Sequence, residues 1–167
     1  MWAARLTIGW LAWELSGSPF WTAVVAFSPS LPPILFSLPI GVYVDRFEPR
    51  RLLMLMSSAT IVMFALMAVV TAMGLMSIPW LMAFAMMQGA IFTVNTPVRL
   101  AFGPSLVPEA ALASAVALNS ISFNTARLTG PLLGGLAIVS VGASGSFALG
   151  ALAYVPLVLI LPFTRPL

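Results

Sequence analysis

Charged side chains are confined to a few short stretches of this chain, and the intervals between them are long and apolar. Residues 15–44 contain no Asp, Glu, Lys or Arg, and neither do residues 52–98 or 128–164. A helix needs roughly 20 apolar residues to cross a hydrocarbon layer about 30 Å thick. The run 52–98 therefore holds two crossings and a turn, and 128–164 holds the end of one crossing and all of another. Backbone polar groups cannot be satisfied by lipid, so the crossings are either helices or a closed barrel. The runs lack strict two-residue alternation and exceed the length of barrel strands, which leaves helices. The pattern predicts an all-α membrane protein.

Prolines, glycines and short polar clusters divide the chain into six apolar segments, at about 2–15, 21–44, 52–73, 80–98, 113–139 and 146–163. Ser16-Gly17-Ser18-Pro19 closes the first, Gly74 to Pro79 separates the third from the fourth, and Gly142 to Ser146 separates the fifth from the sixth. Six segments suggest a 3+3 inverted-repeat bundle, in which interrupted helices stand at matching positions of the two halves. The second segment carries Pro29, Pro32, Pro33, Pro39 and Gly41, and the fifth carries Gly130, Pro131, Gly134 and Gly135. No residue-level repeat accompanies this match.

Composition agrees with the pattern: 61% of residues are hydrophobic, 7% are charged and the mean hydropathy is +1.10. Cys and His are absent, which removes thiol chemistry, His-based metal sites and a Ser-His-Asp arrangement. All seven basic residues are arginines, so no lysine is available for a Schiff base or a phosphate loop. The formal charge of +3 is dispersed rather than gathered on one basic face, and no nucleic-acid partner is expected. No cofactor or metal is expected, and an enzyme acting within the membrane would lack the usual catalytic side chains.

Arginine placement sets the orientation. Arg46, Arg50, Arg51, Arg99 and Arg165 fall on one side, and the loops on the other side contain no Lys or Arg. By the positive-inside rule the arginine side is cytoplasmic. The first segment is short and interrupted by Arg5. Two readings stand for it: a signal peptide without a clear cleavage site, or a helix whose first turns are missing from the sequence.

Five of the eleven charged residues lie in Asp45-Arg46-Phe47-Glu48-Pro49-Arg50-Arg51. With Gly41, this loop resembles the signature between helices 2 and 3 of the major facilitator superfamily. Gly41, Asp45, Arg46, Arg50 and Leu53 match it, whereas Tyr43, Val44, Glu48 and Pro49 depart. Arg51 extends the basic pair. An orienting loop with an incidental acid is the plainer reading. The run from Ala126 through Gly130-Pro131 to Gly134-Gly135 resembles the superfamily's motif of exporters and antiporters, with Ala126 in place of a glycine. Ala126, Gly130 and Gly134 share one helical stripe that permits close packing. Pro131 lacks a donor and clashes with the carbonyl of Arg127, predicting a bend there. A packing stripe with no further role is the alternative. Glu14 to Pro19, Val116 to Pro131 and Asn95 to Arg99 resemble the branch that contains the enterobactin exporter.

Arg127 falls near the middle of the fifth segment, where an arginine costs about 2.5–3.5 kcal/mol to insert. Arg5 lies at a similar depth in the first. Two arginines at one depth suggest a cationic cavity, with Gln88, Asn119 and Asn124 as further candidates. Arg127 could instead pair with carbonyls, Arg5 could snorkel to the surface, and each polar residue could serve one interhelical hydrogen bond.

The resemblance implies the N-terminal half of a twelve-helix secondary transporter of the bacterial inner membrane. It would export small organic molecules such as drugs or siderophores by alternating access, with protons as the coupling ion. The lipid bilayer and a C-terminal six-helix half would be its partners, and Gly41, Asp45, Arg46, Arg50 and Arg51 its cytoplasmic gate. A non-transporting membrane assembly subunit is the alternative.

Overall fold

Proline and glycine set where the helices begin and end. Helix α1 (Trp2–Ser16) stops at Gly17, which takes the left-handed conformation (φ 58°) and donates its N–H to the Trp13 carbonyl at 2.8 Å. Ser18 is extended and Pro19 follows in the first turn of α2 (Pro19–Phe27), where a missing donor costs nothing. Pro29 tightens the next turn into a 3-10 helix, Ser28–Ser30, and α3 continues over 31–36. The computed structural model describes residues 1–36, 47–103 and 106–163, and every regular element among them is helical.

Helix α4 (Pro49–Ala72) starts with a proline after the extended Glu48 and ends before Gly74, whose φ of 69° reverses the chain. Helix α5 (Ile78–Phe102) again has a proline in its first turn and continues through Pro97. Helix α6 (Leu112–Ile160) is helical throughout except at Gly142, with φ 75° and ψ 177°. Almost no residue but glycine adopts that combination.

Gly142 turns α6 into a hairpin. Eleven positions separate Gly135 from Ser146, about 16 Å along an unbroken helix. Yet Gly135 lies beside Leu6, and the Ser146 hydroxyl is 2.9 Å from that of Thr7, the next residue of α1. The limbs 112–141 and 143–160 therefore run back to back, both against α1. The second limb is antiparallel to α4, since Arg50 reaches Leu161 while Phe64 meets Gly150 and Tyr154. Where the sequence pattern sets a turn over Gly142–Ser146, helical conformation is lost at Gly142 alone and Ser146 is buried.

The main core joins α1, α2, α4, α5 and the second limb of α6 through Ile8, Leu11, Val25, Met63, Phe64, Met67, Leu81, Phe84 and Phe147. A smaller cluster, Leu53, Val98, Phe102 and Leu161, closes the end that carries Arg50. Large apolar side chains remain outside in number, among them Leu128, Leu132, Leu136 and Val139 on the first limb of α6. Such a surface suits lipid or further protein rather than water. Among the described residues, four stretches are long and apolar enough to cross a bilayer: Pro19–Phe36, Pro49–Ala72, Ile78–Leu100 and Glu109–Phe163. The last contains the hairpin, and α1, with 15 residues, is shorter than any of them.

Replacing Gly142 by alanine should lower stability by about 1–3 kcal/mol, since its backbone conformation is strained for any other residue. Gly9→Ala, inside α1 where an added Cβ meets nothing within 4 Å, should cost nothing and gain up to about 1 kcal/mol from helix propensity. Thermal unfolding of both variants in detergent checks this. No loss at position 142 would show that the chain does not turn there.

Candidate functional site

The first turn of α1 lies on the first limb of α6 at two glycines. A Cβ at position 130 would stand 2.5 Å from the Trp2 Cβ, and one at 134 would stand 2.7 Å from the Ala3 carbonyl oxygen. Both distances are impossible for real atoms, so only glycine permits this approach. At Gly135 the nearest foreign atom, a Leu6 methyl, is 3.6 Å away, an ordinary contact that leaves room for a side chain. Helix α6 continues through Pro131, and its one non-helical residue is Gly142.

This approach seats the Trp2 indole among cations. The Arg5 guanidinium carbon lies 5.0 Å from the ring centroid and that of Arg127 lies 5.7 Å away. Phe123 meets the ring edge-on at 5.7 Å. Helical spacing explains the grouping. Arg5 follows Trp2 by three residues, and Phe123, Arg127, Gly130 and Gly134 recur at three or four along one stripe of α6. Each cation over an aromatic face gains about 0.5–2 kcal/mol, more as water is excluded. Both arginines are exposed on the surface of the bundle rather than enclosed within it. Neither has a carboxylate within ion-pair distance among the described residues. Arg127 stands halfway between Leu112 and Gly142, about 22 Å from either end of its limb.

Gln88 lies behind this group. It is 3% exposed, and both atoms of its amide are buried without a hydrogen-bond partner. It opens onto a cavity of about 10 Å³ shared with Trp2, Arg5, Gly89, Phe92 and Met1. Gly89 brings it there, because a Cβ at that position would run into the Pro29 backbone. The glycine lets α5 press against the 3-10 turn of the second segment.

Asn119 and Asn124, expected beside the arginines, belong to a different group. Asn119 accepts a hydrogen bond from Arg99 at 3.1 Å, and Asn124 donates to the Ser120 carbonyl within its own helix. With Arg99, Thr96 and Tyr154 they line a cavity of about 560 Å³ towards the Arg50 end of the bundle. Asn119 precedes Arg127 by two helical turns, about 12 Å, which accounts for the separation. Phe92, Phe123 and Met1 stand where the two groups adjoin.

Of the gate residues, Gly41, Asp45 and Arg46 lie outside the described residues. Arg50 donates from Nε to the Leu161 carbonyl at 3.0 Å and from Nη2 to the Pro162 carbonyl. A guanidinium at this place satisfies acceptors left over at the end of a helix and faces the negative end of its dipole. Arg51 pairs with Glu48 at 2.7 Å. Both of those side chains are exposed, so the pair contributes at most about 1 kcal/mol. Ala126 is exposed. No group of His, Cys, Asp and Glu suited to a metal ion occurs among the described residues.

Trp2, Phe123 and Gly89 are the participants that the sequence reading leaves unnamed. The first two have a visible signal, an aromatic residue one helical turn before each deep arginine. Gly89 has only its place beside Gln88.

Comparison with known proteins places the chain. The family model described as transmembrane secretion effector matches residues 1–166. The chain is 25% identical over 160 residues to the staphyloferrin A transporter of Staphylococcus aureus, covering 95% of this chain and 40% of that protein. It is 28% identical over 158 residues to the multidrug efflux pump Tap of Mycobacterium bovis, covering 87% and 36%. It is 26% identical over 143 residues to an uncharacterized MFS-type transporter, YfiS, of Bacillus subtilis, covering 86% and 33%. The chain thus spans 40% or less of the length of these curated relatives. No solved structure matches it.

Gly134→Leu should force α1 away from α6 and cost about 1–3 kcal/mol or more, whereas Gly135→Ala should be nearly neutral. The measurement is thermal unfolding in detergent, with accessibility of a cysteine placed at position 3 as a second readout. Equal tolerance at the two positions would contradict the close approach.

Proposed function

The chain belongs to the transmembrane secretion effector family of the major facilitator superfamily, multi-pass transporters of the bacterial plasma membrane, and from that premise we propose that it forms the N-terminal six-helix half of an exporter of small organic molecules. In this reading α1, the stretch Pro19–Phe36, α4, α5 and the two limbs of α6 are its six crossings, arranged as three and three. A second half would face Arg5 and Arg127 across a midplane cavity, and rocking of the halves would expose that cavity to each side in turn.

The observation that carries the proposal is the pair of mid-depth arginines on the exposed surface beside Trp2. Charges at that depth are tolerated where they face water or a partner and not lipid. A space between two halves supplies such a setting. The direction of transport is proposed on one relative, a multidrug efflux pump. Coupling to protons is proposed on the family resemblance. The acids described in the structure, Glu14, Glu48 and Glu109, all lie at helix ends, so we assign none of them to a relay at midplane.

At the cytoplasmic end, Asp45, Arg46 and Arg50 would form the gate, with Gly41 allowing its helices to converge. Arg50, held by the last carbonyls of the hairpin, would tie the gate loop to α6. Movement of α6 would then be felt in the loop. The bend of the first limb would be governed by Gly130, Pro131, Gly134 and Gly135.

Two outcomes are expected of the whole gene product. A cysteine at position 48, introduced where these 167 residues have none and with any cysteine elsewhere in the gene product replaced by serine, should react with an impermeant maleimide in inverted vesicles and not in intact cells. Reaction from outside would overturn the orientation. In an efflux-deficient host the protein should lower the retained amount of some members of a panel of small organic solutes, and Asp45→Asn should abolish most of that effect at equal membrane abundance. Equal retention of every solute with and without the protein would favour an assembly subunit over a transporter.

A further inference from the structure

We propose that Arg5, Arg127 and Gln88 form a binding site for a small organic dianion, a molecule with two carboxylates on an apolar body; this rests on the exporter reading and names its class of cargo. Three independent features of the structure meet here. Two guanidiniums lie 5.0 and 5.7 Å from the centroid of a single indole, and both are exposed without a carboxylate partner among the described residues. A third polar side chain, Gln88, is 3% exposed with its donor and acceptor both unmatched, and it shares a cavity with Arg5 and Trp2. Phe92 lines the same cavity beside Met1 and Gly89, and Phe123 stands edge-on to the indole.

Chemistry narrows the ligand. Guanidinium forks bind planar carboxylates through two parallel hydrogen bonds, and stacking on an indole holds the fork in place without using its N–H edge. Two forks on one ring, each without a carboxylate partner among the described residues, are matched by two negative groups rather than one. A cation would be repelled. Lipid headgroups are remote, because Arg127 stands about 22 Å along its helix from either end. The amide of Gln88 can both donate and accept, and its cavity of about 10 Å³ admits only a group of hydroxyl size. The body of the ligand must therefore lie outside, against Phe92 and Phe123, with any hydroxyl directed inward. A charged pair that waits unpaired has one further consequence. The empty site is less stable than the occupied one, so binding should protect the protein against unfolding.

The test uses the whole gene product in detergent and three aromatic probes measured by calorimetry: isophthalate, benzoate and meta-xylylenediamine. Isophthalate should bind about tenfold or more tightly than benzoate, the effect expected of a second charge-assisted contact, and the diamine should not bind. Arg5→Gln and Arg127→Gln should each reduce isophthalate binding to about the level of benzoate, and Arg127→Lys should recover only part of the loss. In the unsubstituted protein, 5-hydroxyisophthalate should exceed isophthalate, and Gln88→Leu should erase that difference. The comparison of isophthalate with benzoate needs no variant, so misfolding cannot obscure it. Equal binding of isophthalate and benzoate, binding of the diamine, or absence of binding to all three would overturn the proposal. Export of solutes by a protein that fails this test would leave the transporter reading standing and remove the dianion site. Isophthalate binding without export of any solute would do the reverse.

Discussion

The contact between the first turn of α1 and the glycines of α6 fixes the rest of the arrangement. Gly130 and Gly134 let two helix backbones meet where any Cβ would collide with Trp2 or Ala3. In a bilayer, apolar surface gives little reason for helices to associate, because lipid tails are equally apolar. Close van der Waals approach and interhelical hydrogen bonds must supply the association. Here both occur along one seam, with the glycine contacts at its start and the Thr7–Ser146 hydroxyl pair further along. The same seam brings Trp2 beside both Arg5 and Arg127, so the packing contact and the candidate site are one construction.

Much of this is legible in the sequence, and the parts that are not have physical reasons. Helix boundaries follow from Ser18-Pro19, Glu48-Pro49 and Ser77 before Pro79, where extended residues precede helix-starting prolines. The stripe of Gly130 and Gly134 announces a close approach, but a stripe does not say which helix arrives. The shared depth of Arg5 and Arg127 can be counted from the turns, yet the indole they share depends on that unknown partner. Asn119 could have been separated from Arg127 by counting two turns along α6. Pro131 draws attention as a bend, while the interruption falls at Gly142, where backbone conformation and not a missing donor decides.

Side-chain motifs also conceal contacts made by backbone. Arg50 reads as one member of a charged loop signature, and its partners are carbonyls of Leu161 and Pro162, more than a hundred residues away. Glu48, which departs from the superfamily signature, is the residue that pairs with Arg51. Gly41, Asp45 and Arg46 lie outside the described residues, so their place in the gate remains a matter of the family resemblance. Electrostatics follows a simple division. Arg50, Arg51 and Arg99 meet carbonyls, a carboxylate and an amide at one end of the bundle. Arg5 and Arg127 share an aromatic ring at mid-depth and have no carboxylate partner among the described residues, and that difference is what sets them apart as a place for an anion.

A disulfide between α1 and the second limb of α6 reports most directly on this construction. The hydroxyls of Thr7 and Ser146 are 2.9 Å apart, and these 167 residues contain no cysteine to compete. With both positions changed to cysteine, mild oxidation in native membranes should join them nearly quantitatively, detected as a peptide cross-link after protease digestion. Thiols that stay free under those conditions, while a cysteine pair at Thr7 and Val139 joins instead, would contradict the hairpin at Gly142 and the seating of Trp2 that depends on it.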